Sequence, residues 1–164
     1  GDATSDYAED DKITFISTDG TSKTYSIVHS GGGGSPVATG TVLELGSDTG
    51  AGTAQAAEVG CIAVSVDVGT SKQGAVLNEI KAAMTGSNGH GSKITHGANV
   101  AETTGAKTMV FTQATAGLGG ATVVTLNTGL AMLDSTPDFT LSDNTDNQWY
   151  FRCVTSVNNG ITVG

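Results

Sequence analysis

The hydrophobic pattern changes period once along this chain, and the change divides it. From Lys12 to Val28 apolar residues alternate with polar ones: Ile13 and Phe15 in the first run, Tyr25 and Ile27 in the second, with Thr14, Thr24 and Ser26 interleaved. Alternation sends successive side chains to opposite faces of a strand, so each run has a single apolar face. Asp19-Gly20 stands between the runs as a two-residue turn signal, and the whole predicts a β-hairpin. Cys61 to Val68 reads as a buried strand with Ile62, Val64 and Val66 on one side. The period then shifts. Within GTSKQGAVLNEIKAAMTGSNGHG, residues 69–91, Val76, Leu77, Ile80, Ala83 and Met84 recur at spacings of three and four. That spacing makes one apolar stripe on a helix, with Lys72, Asn78, Glu79 and Lys81 mostly opposite. Thr70 is placed as N-cap, Gln73 three residues on completes a capping box, and Gly86 supplies the stop. The expected helix covers about 70–85. A lone helix of about four turns is marginal in water, so its stripe must rest on the strands around it.

Beyond the helix the strand pattern resumes. A short strand is expected around Lys93 to Thr95, and Lys107 to Gln113 puts Met109 and Phe111 on one face. Ala121 to Asn127 is expected to return as its hairpin partner, and a last strand falls at about 148–156. Before the helix, His29 to Gly40 holds four consecutive glycines, Gly31 to Gly34. Neither Gly-Lys-Ser/Thr opening a helix nor GxGxxG between strand and helix follows, so this reads as a mobile hairpin loop rather than a phosphate cradle. Thr41 to Leu45 reads as a short strand and Gly46 to Gly60 as a second loop of small residues. The fold class is therefore α+β: mainly antiparallel β-hairpins with one amphipathic helix packed on the sheet and extended terminal arms. The expected organisation is an acidic N-terminal arm, 1–11, a β-rich domain, 12–127, and a C-terminal extension, 128–164.

Composition narrows the function classes. Glycine supplies 24 of 164 residues, and only 14% are charged against about 25% in a typical globular protein. A weakly charged, small-residue, β-leaning surface suits a protein that works within an assembly or outside a cell. Sixteen acids against seven bases give a net charge of −9, which leaves no basic patch for phosphates and argues against nucleic acid as a partner. No apolar run reaches the ~20 residues of a membrane-spanning helix. Cys61 and Cys153 lie far apart, and two readings stay open: a bridge across a sheet, or two buried thiols.

Candidate chemistry is sparse. His90 and His96 are six apart without an HxxxH helix or a CxxC partner, so no zinc site is expected, and His90 reads as satisfying the backbone of its own SNGHG turn. LSDNTDNQ gathers Asp143, Asn144, Asp146 and Asn147, but the EF-hand spacing is absent, so this stretch, like Asp134 and Asp138 before it, reads as solvated loop. No G-x-S-x-G elbow occurs, and the acids sit in loops. The expectation is a protein that is not an enzyme and carries no cofactor and no metal.

Two stretches form a familiar pair. ITFISTDGTSKTY, followed across the helix and NGHGSKIT by MVFTQATAGLGGATVVT, resembles a module of virion structural proteins of tailed bacteriophages, marine ones especially. The matching pieces are Ile13 to Tyr25, Ala75 to Met84, Asn88 to Thr95 and Met109 to Thr125, about two-thirds of the chain from 12 to 127. The chain departs from the pattern in a longer loop from His29 to Gly60 and in Gly120-Ala121 where Gly-Asn is usual. The resemblance implies a virion location and a structural subunit of the particle: fibre, spike, head decoration or coat. Its partners would be copies of itself and other virion proteins. The alternative is an adhesin module that binds a host-surface glycan, with Trp149 beside Asp146 and Asn147 as the local match. Aromatic anchors tend to dominate contact energy, so Tyr7, Phe139, Trp149 and Tyr150 are the interface candidates. Removing residues 1–11 and 157–164 is expected to leave the monomer folded and prevent assembly.

Overall fold

The computed structural model describes residues 7–68, 71–103, 107–115, 125–126 and 148–153. In chain order the elements are β1 (Lys12–Ile16), β2 (Ser22–His29), β3 (Ile62–Val66), α1 (Gln73–Thr85), β4 (Ile94–His96), β5 (Lys107–Gln113), β6 (Thr125–Leu126) and β7 (Gln148–Cys153). They give the α+β class expected, with one helix on a mixed sheet. β1 and β2 form the hairpin in register from Lys12 opposite Ser26 to Ile16 opposite Ser22. Its turn is one residue longer than the two-residue loop expected from Asp19-Gly20. Gly20 N donates to Ser17 O at 2.8 Å and Ser17 N donates to Thr21 O at 2.9 Å, closing Thr18 to Gly20 as the loop. Gly20 alone turns left-handed, at φ 82°, a conformation that glycine adopts without strain.

The sheet runs β3-β2-β1-β6, and β3 lies parallel to β2, with Tyr25 opposite Ile62 and His29 opposite Val66. A parallel partner needs a crossover. Residues 30–61 supply it as an irregular layer over one face of the sheet. Thr41 to Leu45 is not the strand expected. Val42 makes a single bridge to Ile62, and Leu43 turns inward, 1% exposed. The four-glycine stretch is likewise no open loop. Asp48 accepts hydrogen bonds from Ser35 N at 2.7 Å and Gly50 N at 2.8 Å and so ties the loop to itself. Those two donors, Gly50 first, hold the Asp48 carboxyl below the usual carboxylate range.

The second sheet runs β4-β5-β7. The hairpin expected between 107–113 and 121–127 does not form. β5 has β4 on one side and β7 on the other, so both its edges are taken, and β6 pairs with β1 instead, Leu126 opposite Ile13. Of the strand expected at about 148–156, Gln148–Cys153 is β7 and belongs to this sheet, and 154–156 lie outside the described residues.

One core lies between the two sheets and the helix. Ile13, Phe15, Tyr25, Ile27, Ile62, Val64 and Val66 from the first sheet meet Val76, Leu77, Ile80, Ala83 and Met84 of α1 and Met109 and Phe111 of β5. The predicted helical stripe is buried along its whole length, with Val76, Leu77, Ile80 and Met84 each contributing about 1.5–3 kcal/mol. A smaller cluster, Val28, Leu43, Ala54, Cys61 and Ala63, fills the opposite face beneath residues 30–61. The helix starts later than expected: its N-cap is Lys72, no side chain caps it, and Thr70 lies outside the described residues. Burial marks the start, since Gln73 and Gly74 are already inside. Asn78 then holds the segment that follows the second sheet's first strand. Its Nδ2 donates to Val100 O at 3.0 Å and its Oδ1 accepts from Val100 N at 2.9 Å.

The arm expected at 1–11 is partly folded in. Tyr7 is 3% exposed, belongs to the main core, and donates its hydroxyl to Ser71 O at 2.7 Å. Tyr7 is therefore an anchor for its own chain and not an exposed interface residue. Removal of residues 1–11 is therefore expected to take a buried ring out of the main core and to destabilise the monomer. Phe139 lies outside the described residues.

Candidate functional site

Residues of the β1–β2 turn, the turn after α1 and the end of β5 meet at one place. α1 ends at Thr85, and the turn closed by Gly89 N donating to Gly86 O reverses the chain and drops His90 under the hairpin. Tyr25 donates its hydroxyl to His90 Nδ1 at 2.6 Å, and His90 Nε2 lies 3.3 Å from Thr21 O. A carbonyl only accepts, so the proton sits on Nε2 and Nδ1 is the acceptor. The two rings stack at 5.9 Å, and Phe15 meets both edge-on, with Phe111 tilted against it at 5.6 Å. His90 thus serves the hairpin across the fold rather than its own turn. Burial, chiefly, lowers its affinity for a proton, and burial likewise pushes the Tyr25 phenol up.

A polar fringe seals this hub. Lys93 Nζ lies 2.7 Å from Asp19 Oδ2 and donates to Thr21 Oγ1 at 2.6 Å. Ser17 Oγ and Thr21 N both donate to Asp19 Oδ1. Lys93 first, then these donors, hold the Asp19 carboxyl well below its ordinary range. From the second sheet the buried Gln113 accepts from Thr18 N at 3.0 Å and donates to Ile16 O at 2.8 Å, tying β5 to the end of β1 and its turn. TDGTSKTY, NGH with KIT, and TQ are thus the parts of one joint. Sequence reasoning singled out His90 but missed Asp19, Lys93 and Gln113 as its supports, although the quoted motifs contain all three.

The chemistry of the joint is that of a strut. General acid–base work needs a titrating group within reach of a substrate proton, and both ring nitrogens of His90 already have partners. Of the other histidines, His29 Nδ1 accepts from Val68 N at 3.0 Å and His96 Nδ1 lies 2.9 Å from Gly97 O. Cys61 is a free, buried thiol, pushed up chiefly by burial and so a poor nucleophile. Among the described residues no group of three or more His, Cys, Asp or Glu side chains is placed to hold a metal ion, and no helix is long and apolar enough to cross a membrane. The acids at 134–147 lie outside the described residues.

Among the described residues, three large apolar side chains are exposed. Val42, Leu45 and Val59 are exposed, Leu45 by 73%, along the loop ribbon beside β3. In β7, Trp149 stands in register opposite the buried Phe111, and Tyr150 opposite Val110. No family model, curated protein or solved structure matches the chain.

The joint makes a direct prediction. Tyr25→Phe keeps the ring and leaves His90 Nδ1 buried without a donor, so unfolding in urea should register a loss of about 1–3 kcal/mol. Acid should act on the same group. Because folding lowers the proton affinity of His90, the unfolded chain takes up the proton first as pH falls. The contribution of His90 is complete above its ordinary value of about 6.5 and is lost as pH drops below it. His90→Gln should be less stable near neutral pH and lose less on acidification.

Proposed function

We propose that this chain is a non-enzymatic structural subunit of a bacteriophage particle, a head decoration, coat or tail-fibre component, that contacts copies of itself and other virion proteins. The observation that carries the reading is the joint at His90. The described parts of the stretches that resemble the virion module meet at this joint, and Asp19, Tyr25, His90, Lys93 and Gln113 engage in bonds between hairpin, helix turn and second sheet. Residues used in this way hold a shape, and a shape-holding signature suits a subunit whose output is contact. The low charge, the glycine content and the exposed Val42, Leu45 and Val59 agree with a surface that meets other protein. Sedimentation velocity of the full chain over a wide concentration range tests it. A discrete oligomer is expected, and a species that stays monomeric throughout counts against the reading.

A further inference from the structure

Asn88 is exposed on the turn after α1 and is followed by Gly89. Asparagine is among the thermolabile side chains, and a glycine after it leaves the next amide sterically open to attack the side-chain carbonyl. In that reaction Gly89 N gives its proton to a base and bonds to Asn88 Cγ. The Cγ–Nδ2 bond breaks, and Nδ2 departs as ammonia. Water then opens the cyclic imide at either carbonyl and leaves aspartate or isoaspartate at position 88. Water is consumed and ammonia released, with no oxidant or reductant. In isoaspartate the main chain runs through Cβ and Cγ, which makes it one backbone atom longer.

The fold holds each participant elsewhere. Gly89 N donates to Gly86 O at 3.0 Å, so the attacking nitrogen is engaged at the end of the helix. The leaving nitrogen, Asn88 Nδ2, donates to Gly40 O at 2.9 Å. Gly40 N in turn donates to Ala63 O at 2.9 Å, which fastens Asn88 to the crossover layer and through it to β3. The backbone has no slack. A Cβ on Gly89 would meet the backbone carbonyls of Ala83 and Met84, and the next residue, His90, is bonded to Tyr25. Turning Gly89 N toward Asn88 Cγ breaks these contacts together.

We propose that Asn88-Gly89 is a site of spontaneous deamidation guarded by the His90 joint, and that isoaspartate, once formed there, keeps the joint from closing. While the joint is closed the reaction waits for it to open, so its rate follows the small population of opened molecules. Either product loses the Nδ2 donor and sets a carboxylate against Gly40 O, two acceptors facing each other. Isoaspartate also adds an atom ahead of Gly89, where the last turn of α1 leaves no room, and so displaces His90. A transient opening is thereby recorded as a permanent covalent change. The guard rests on the joint alone and is independent of any role in a particle.

The full chain, aged in mildly alkaline buffer with and without a denaturing concentration of guanidinium chloride, reads the guard directly. Peptide mass spectrometry counts conversion on the peptide that carries Asn88, separately from Asn159-Gly160, which lies outside the described residues. Conversion of Asn88 should be roughly tenfold or more slower in the folded chain than in denaturant. Tyr25→Phe loosens the joint without altering that peptide, so it should speed conversion several-fold in buffer and leave the rate in denaturant unchanged. The isoaspartate fraction of the aged folded chain, separated by ion exchange, should show displaced His90 ring signals. Equal rates with and without denaturant, or a Tyr25→Phe chain that converts no faster in buffer, would overturn the guard. An isoaspartate fraction with unshifted His90 signals would overturn the block on closing.

Discussion

Phe15→Ala should reduce the unfolding free energy by about 3–5 kcal/mol, the usual range for emptying a core aromatic site. Phe15 is fully buried and is the one ring that touches Tyr25, His90 and Phe111 together. Its removal leaves a void between the hairpin, the turn after α1 and the second sheet, and none of the three can move in without breaking the bonds that hold the others. Against a total stability of about 5–15 kcal/mol, the loss is a large fraction of the whole. Phe15→Leu, which keeps most of the volume, should lose far less. Urea unfolding of the three proteins makes the comparison. A loss below about 1 kcal/mol for the alanine variant would show that the joint does not organise the fold.

The second large effect is expected at Gly89. A Cβ on Gly89 would lie 2.3 Å from Ala83 O and 2.3 Å from Met84 O, both backbone carbonyls of the last turn of α1. No side-chain adjustment relieves such an overlap, so Gly89→Ala must open the turn and pull His90 from Tyr25. The expected loss is roughly 3 kcal/mol or more, with the His90 ring signals of the folded protein displaced in nuclear magnetic resonance spectra. Gly20→Ala is the control. Nothing lies within 4 Å of its Cβ, and only the left-handed backbone is penalised, by about 1–2 kcal/mol. Equal effects at the two positions would mean that the turn after α1 is not closely packed.

These two residues also mark what the sequence could and could not reveal. Alternation in β1 and β2 and the stripe Val76, Leu77, Ile80, Ala83 and Met84 announced the hairpin and the helix, because period follows directly from which face is buried. Partners of strands did not follow from period. The run at 107–113 has the same alternation whether it pairs with 121–127 or with β4 and β7, and only long-range packing decides. Glycine was ambiguous in the same way. Gly31 to Gly34 read as a mobile loop, yet Asp48 ties that loop to itself, and nothing along the chain marks Gly89 as the glycine wedged under the last turn of α1. Tyr7 was misplaced for a related reason. Five acids around one aromatic look like a solvated arm, and burial of Asp11 beside it has no signature along the chain. The polar joint at His90 was half legible: its motifs could be quoted, but that Asp19, Lys93 and Gln113 meet there is a fact of three dimensions.

Electron microscopy of the purified full chain, across the concentrations at which sedimentation detects an oligomer, tests the proposed role most directly. Regular rings, shells or fibres of one repeating unit are the predicted result. A field of single, unassociated molecules at every concentration would contradict it.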